Sequence, residues 1–522
     1  MQNLLARLQK EGSEDPKQFK LSGRIVYVVN HAYPFSSNGY AVRTHGVASA
    51  LVGHEHSVIV VTRPGMPWDL AEFEDQSFSN HHEIDGVRYL HLLEPSSVGI
   101  SRDQYLAAST ETIKSTLRIF KPSAVLAASN WENALPAAVA AKELGVPFFY
   151  EVRGFWEISA LSTPSNSKLD EKYQQSYEME TRIARYADKV FTLNQFMRNE
   201  LIKRGVEPNK IELVPNAYGH LPALKSSDYE QNTAIKSRYV LGYVGSFGAY
   251  EGLEDLVRAC AQIRKMGIDA SLLIVGSSNC HGVQEKTCAT SAKLQQLAQS
   301  LEFADHLHLP GRVDPTQLQH FYDQIDLIVI PRLPLAICEL VSPIKPLEAI
   351  AFGKPILVSD VAPLKEFVTE SAAGICFKAG DQQDLVEKAC QLLENAEQRQ
   401  ELANNGKQWQ QNHQWGKATT AISQALKAKD QIVTANKNNS FTNFPLKSVR
   451  VACIMDEFTF ASYKDTSSLL QLSPETWQEE LTQFKPHLLF IESAWRGKNN
   501  AWDRKIGRAS PELLGIIAWC KQ

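Results

Sequence analysis

The sequence lacks the features that mark several protein classes. It has no CxxC pair: Cys260, Cys280, Cys288, Cys338, Cys376, Cys390, Cys453 and Cys520 stand singly. That scatter fits neither a zinc site nor a disulfide frame, and reads as reduced thiols in a cytosolic protein. No run of about 18 apolar residues exists, so no bilayer-spanning helix is expected. Residues 1–20 carry Arg7, Lys10, Glu11, Glu14, Asp15 and Lys17 without an apolar stretch, which does not read as a secretory signal. Neither charge sign dominates: 54 basic and 58 acidic residues leave a net charge of −4. No global field is therefore available to draw in nucleic acid or an anionic membrane. A GxGxxG dinucleotide fingerprint is also missing.

What is present is ordinary globular usage, 43% hydrophobic and 21% charged over 522 residues. A chain this long exceeds one core, and about three domains are expected at roughly 150 residues each. From residue 23, short β-branched runs alternate with amphipathic stretches. Strands are expected at Ile25–Val29, Val58–Val61, Val87–Leu92, Ala124–Ala128, Phe148–Val152, Val190–Leu193 and Ile211–Val214. These runs are continuously apolar, as in a parallel sheet covered on both faces. A second series follows at Val240–Val244, Leu272–Val275, Leu307–Leu309, Leu327–Ile330, Ile356–Val358 and Ile375–Phe377, with helices such as Leu253–Lys265 between. The fold class is α/β: two doubly wound Rossmann-like domains with a cleft between them, plus a small C-terminal α/β segment.

The boundaries read as an N-terminal extension 1–21, a first domain 22–219, a linker 220–237, a second domain 238–429 with closing helices at 406–429, a linker 430–447 and a partial domain 448–522. In the extension, Leu4, Leu5 and Leu8 read as a short packing helix, with peripheral membrane contact as the alternative. In the last piece, Ser473 and Pro474 read as the N-cap and first residue of a helix. This piece echoes the first domain: Phe120-Lys121-Pro122 precedes one strand and Phe484-Lys485-Pro486 another. It reads either as the opening of a further domain or as an accessory subdomain.

Four segments bear on chemistry. Asn30–Gly46 follows the first strand and brings Asn38, Gly39 and Tyr40 before a helix. Such a loop offers amides to a polar or anionic ligand, or is a plain βα turn. Tyr150–Glu157 places Arg153 and Glu157 beside Phe155 and Trp156, a set suited to a sugar or phosphate, or to a surface salt bridge over an aromatic patch. Val244–Glu254 carries Gly245, Ser246 and Gly248, whose small size permits close backbone approach. Pro331–Asp360 holds Arg332, Glu339, Pro343, Lys345 and Glu348 around a helix start. There, carboxylates can bind hydroxyls and the cations a diphosphate; Glu348 as simple dipole compensation is the alternative.

These segments, with Gly53-His54-Glu55, Val214-Pro215-Asn216, Glu251-Gly252-Leu253, Gly311-Arg312-Val313, Pro346-Leu347-Glu348-Ala349 and Phe352-Gly353-Lys354-Pro355, resemble the GT-B glycosyltransferases of family 4 over roughly residues 22–425. The resemblance implies a retaining, metal-independent transferase without a cofactor, taking a nucleotide-sugar donor on the second domain. The acceptor, a glycan or lipid-linked molecule, would bind on the first. It assigns the ribose to Glu348, the base to the backbone near Arg312 and Val313, and the donor sugar to Glu339. Gly245, Ser246, Arg332 and Pro343 complete the donor side, and Asn38, Gly39, Tyr40 and Glu157 the acceptor side. Arg153 stands where the family commonly has a histidine.

Two departures stand out. Eight residues, not seven, separate Glu339 from Glu348. Ser246 and Glu251 replace the family's basic pair on the diphosphate loop, which removes charge that stabilises the leaving group. Lys345, Arg332 and Arg153 are the candidates to replace it. The expected setting is surface polysaccharide synthesis in the cytoplasm or at the inner face of the plasma membrane. Residues 448–522 resemble the opening of a second glycosyltransferase-like domain, on Met455-Asp456-Glu457-Phe458 and Phe490-Ile491-Glu492-Ser493. A catalytically inactive scaffold and a nucleotide-sugar epimerase are the competing readings.

Overall fold

The computed structural model describes residues 2–9, 21–70, 73, 79–162, 169–219, 235–277, 289–435, 450–455, 459–461, 468–492, 500–503, 505–506 and 510–520. The chain divides into two compact units, Met1–Ile432 and Val433–Gln522.

The first unit holds two sheets. One contains β1 (Leu21–Val29), β2 (Ser57–Thr62), β3 (His81–Ile84), β4 (Val87–Leu90), β5 (Pro122–Ala128), β6 (Phe148–Val152), β7 (Lys189–Thr192) and β8 (Ile211–Leu213). Their order is β3-β4-β2-β1-β5-β6-β7-β8, parallel throughout except for β3 against β4. The other contains β9 (Tyr239–Val244), β10 (Ala270–Val275), β11 (Leu307–Gly311), β12 (Leu327–Ile330), β13 (Ile356–Ser359) and β14 (Gly374–Phe377). Its order, β11-β10-β9-β12-β13-β14, is parallel throughout. Every residue of β5, β6, β10, β12 and β13 is buried, which is why these segments are mainly apolar; Glu151 in β6 is the one charged residue among them. The chain reverses its winding at β1 and again at β9. In such sheets ligands bind outside the strand C-termini at these switch points.

The helices follow local chemistry. Arg102–Phe120 opens on a Ser101–Gln104 capping box, buries Leu106, Ile113 and Leu117, and ends at Lys121 with φ 49°. Leu253–Lys265 forms where its pattern predicts. Helix Gln2–Gln9 buries Leu4 and Leu8, while Arg7 bonds Glu143 and Glu111, both at 2.7 Å. The leucine stripe is thus a packing face, not a membrane contact. The closing helices begin at Ala396, earlier than the pattern indicates. Strand β3 is short and polar (HHEI) and carries no apolar signal. Most of the 220–237 linker lies outside the described residues. So does 436–447 of the second linker, whose first residues continue helix Thr420–Ala435.

The second unit contains β15 (Arg450–Ile454), β16 (Ser468–Gln471) and β17 (Leu488–Ile491), all parallel in the order β16-β15-β17. Ala452, Ile454, Leu472, Leu481, Trp502, Leu513 and Ile516 form its core. Its helix starts at Trp477 with Thr476 as N-cap, three residues past the Pro474 start; Ser473 N–H instead donates to the Glu480 carboxylate. The echo between the two pieces is structural. Lys121 and Lys485 both cap a helix in the left-handed region, and each donates its N–H four residues back. Arg24 bonds the Phe120 carbonyl, and Arg450 bonds that of Phe484. Asp456, Glu457, Phe458 and Ser493 lie outside the described residues.

Candidate active site

A cavity of about 250 Å³ lies where the loops after β1, β6, β9 and β12 meet. It is lined by Asn38, Gly39, Tyr40 and Arg153 from the first lobe, and by Gly245, Ser246, Arg312, Val313, Arg332, Pro343, Lys345 and Glu348 from the second. Twelve of the fourteen residues singled out in the sequence are therefore brought together.

The cationic wall has one organising group. Glu251 Oε1 accepts from Lys345 Nζ at 2.9 Å and from Arg332 Nη2 at 3.1 Å. Burial acts to raise the Glu251 carboxyl, yet Arg332 and Lys345 hold it down at about 2. The acidic substitution on the diphosphate loop is thus met by two cations from the loop after β12. Arg332 also donates to the Val341 carbonyl at 2.8 Å, so its guanidinium is fixed from two sides.

Glu348 lines the same cavity, in the first turn of helix Lys345–Ala351 and three residues on from Lys345. Burial pushes its carboxyl up to about 7, with Lys345 acting the other way. It can therefore change charge near neutral pH. Across the cleft, Arg312 Nη2 donates to Ser37 Oγ at 2.8 Å.

The first-lobe wall rests on a buried network. Glu151 accepts from Arg153 Nε at 2.8 Å and from Arg43 Nε at 2.9 Å, and the Tyr27 hydroxyl joins them. Burial opposes ionisation of Glu151, but the two arginines hold it at about 2. Arg153 also donates to the Tyr40 carbonyl (3.1 Å) and to Thr44 Oγ1 (2.9 Å). Its donors are engaged in fixing the start of helix Gly39–Gly53. Asn38 caps that helix through Ala41 N–H, and Tyr40 stacks on Trp156 with centroids 5.3 Å apart.

Two candidates do not line the cavity. Glu339 is exposed, and its carboxylate accepts from Ala362 N–H at 2.8 Å at the start of helix Ala362–Ser371. Glu157 is buried in an ion pair with Arg204 at 2.7 Å, and the Arg204 guanidinium lies over the Phe155 ring.

Sequence reasoning missed other lining and bridging groups. Arg43 sits in a helix without a motif, and its partner Glu151 is 108 residues away. Asn216 accepts from Arg43 Nη1 at 3.0 Å and donates to the Ser342 carbonyl at 3.0 Å. Asn194 donates to the Leu340 carbonyl (2.9 Å) and Ser342 Oγ (2.6 Å). These two asparagines tie the 340–342 segment to the first lobe; the Val214-Pro215-Asn216 motif was the only signal for either. Among the described residues, no group of three or more His, Cys, Asp or Glu side chains is placed to hold a metal ion. No helix among them is long and apolar enough to cross a membrane.

Comparison with known proteins bears on this cleft. Residues 225–409 match the family described as glycosyl transferases group 1, and residues 38–217 match a glycosyl transferase 4-like domain. An uncharacterized glycosyltransferase of Methanocaldococcus jannaschii is 21% identical over 45% of this chain; the chain spans 58% of that relative's length. Sucrose-phosphate synthase from Thermosynechococcus elongatus shares the fold with a TM-score of 0.61 at 18% identity, over 79% of this chain and 99% of its own. HepE from Anabaena, in complex with UDP-glucose, aligns with a TM-score of 0.57 at 14% identity, over 78% and 99%.

Proposed function

Because the chain belongs to the group 1 glycosyltransferases of GT-B fold, we propose that it transfers a sugar from a nucleoside diphosphate donor to a glycan or lipid-linked acceptor hydroxyl, with retention of anomeric configuration. The observation that carries this reading is the convergence of Arg332 and Lys345 on Glu251 in the wall of the cavity that Glu348 also lines. Two cations suit a diphosphate, and a carboxylate suits the ribose hydroxyls. The UDP-glucose bound by HepE supports a nucleoside diphosphate sugar as the donor class.

In this reading the donor lies along the second lobe, its base beside Arg312 and Val313. The bond from the anomeric carbon to the diphosphate oxygen breaks as the acceptor oxygen attacks from the same face. The departing diphosphate takes the acceptor proton, and Lys345 and Arg332 stabilise the negative charge that develops on it. These side chains provide charge that a divalent cation provides in other transferases. The acceptor enters past Asn38, Gly39 and Tyr40, on a loop that Arg153 holds in place. The setting is surface polysaccharide synthesis on the cytoplasmic side.

An inactive scaffold is the second reading, favoured by Glu251, which offsets one of the two cationic charges. Thermal melting with a panel of nucleotide sugars tests the donor site. Stabilisation by one donor type is expected, by mass action, and no shift with any of them contradicts it.

A further inference from the structure

Glu251 is 1% exposed, unusual for a carboxylate on a ligand-facing loop. The chain carries it there by a specific route. Gly252 follows with φ 69°, and a Cβ on it would meet the Pro331 carbonyl oxygen at 2.0 Å. The Tyr250 carbonyl accepts from Leu333 N–H at 2.9 Å. Residues 250–252 are thereby stitched onto the loop after β12, which delivers the Glu251 carboxylate between Arg332 and Lys345.

Both cations donate to the same oxygen, so their nitrogens lie at most about 6 Å apart. Without a counter-charge they would repel, and Lys345 would turn to solvent. Tyr243 and Tyr250 complete the holder: Lys345 Nζ lies 5.6 Å from the Tyr243 ring centroid, and the Arg332 guanidinium 5.4 Å from that of Tyr250. The other carboxylate oxygen of Glu251 is buried without a hydrogen-bond partner among the described residues. A carboxylate kept at that cost is held for its charge.

We propose that Glu251 is a positioning residue for the leaving group. It holds the Arg332 guanidinium and the Lys345 ammonium side by side before the donor arrives. It also reduces the cluster to one net positive charge. The cations are then placed to meet charge that develops on the departing diphosphate, without over-binding the intact donor. This proposal rests on the donor-site reading above.

Steady-state kinetics on the full chain test it, with nucleoside diphosphate binding measured alongside. Glu251→Gln keeps the shape and removes the charge. Its kcat is expected to fall on the order of tenfold or more, as for a misplaced catalytic contact. The donor KM and the nucleoside diphosphate Kd should stay level or drop, because net positive charge increases. Glu251→Asp should recover part of kcat. Turnover equal to or above wild type in Glu251→Gln overturns the proposal. So does parallel loss of kcat and nucleotide binding, which marks a structural role. If Lys345→Ala is impaired while Glu251→Gln is not, only the Glu251 role fails. If both turn over like wild type, the donor-site reading fails as well.

Discussion

Lys345 crosses directly over Gly245: a Cβ at residue 245 would sit 2.3 Å from the lysine Cε. The glycine is the channel through which the lysine stem reaches Glu251. Gly245→Ala should displace Lys345 while leaving β9 intact. A kcat loss on the order of a hundredfold is expected, as for a shift of about 1 Å in a catalytic group. Turnover and the thermal midpoint, measured together, separate displacement from unfolding.

Lys345→Ala removes one of the two groups placed against the leaving diphosphate. Losing one such donor typically costs about a hundredfold or more in kcat. The effect should fall on kcat more than on donor KM, since Arg332 still holds the bound diphosphate. Near-normal turnover would mean that Lys345 does not replace the charge absent at Ser246 and Glu251.

Glu348 gives the enzyme a pH signature. Burial raises its carboxyl to about 7, so it is largely protonated below that pH and ionised above it. The carboxylate offers both oxygens as acceptors to two hydroxyls, whereas protonation turns one of them into a donor. The donor kcat/KM, which reports the free enzyme, should therefore rise with pH through about 7. Glu348→Gln should lower kcat/KM and remove that limb of the profile.

Glu157 and Glu339 lie off the cavity, and each has its own signature. Glu157→Gln removes one of the two carboxylates paired with Arg204, whose side chain is 1% exposed; Glu200 stays at 2.9 Å from its Nε. Breaking a buried pair from one side costs about 3–5 kcal/mol, and the remaining Glu200 keeps the loss toward the lower end. A lower denaturation midpoint with an unchanged donor KM is expected. Glu339→Gln, at an exposed helix start, should leave kcat within about twofold of wild type.

The strands that build the cleft were legible because burial on both faces leaves runs such as Val240–Val244 and Leu327–Ile330 without polar interruption. The strands His81–Ile84 and Ser468–Gln471 were not, because short, half-exposed strands have no such run. Gly245, Arg332, Lys345 and Glu348 could be picked out because loops after parallel strands converge at a switch point. The Glu251 pairing could not, since it joins residues 81 and 94 positions apart. That Glu339 stands off the cavity was not legible, because a sequence gives a residue type but not the direction of its side chain from a short helix. Arg153 lines the cavity, but the bonds that tie its guanidinium to Glu151, Tyr27, Tyr40 and Thr44 emerge only from the fold.

The most direct test is the release of nucleoside diphosphate from a panel of nucleotide sugars with glycan and lipid-linked acceptors, with the glycoside product captured. One donor type should yield diphosphate and a glycoside of unchanged anomeric configuration, in equal amounts. Lys345→Ala should suppress both together. No release with any donor and acceptor, or release that Lys345→Ala leaves untouched, would contradict the assignment of this cleft.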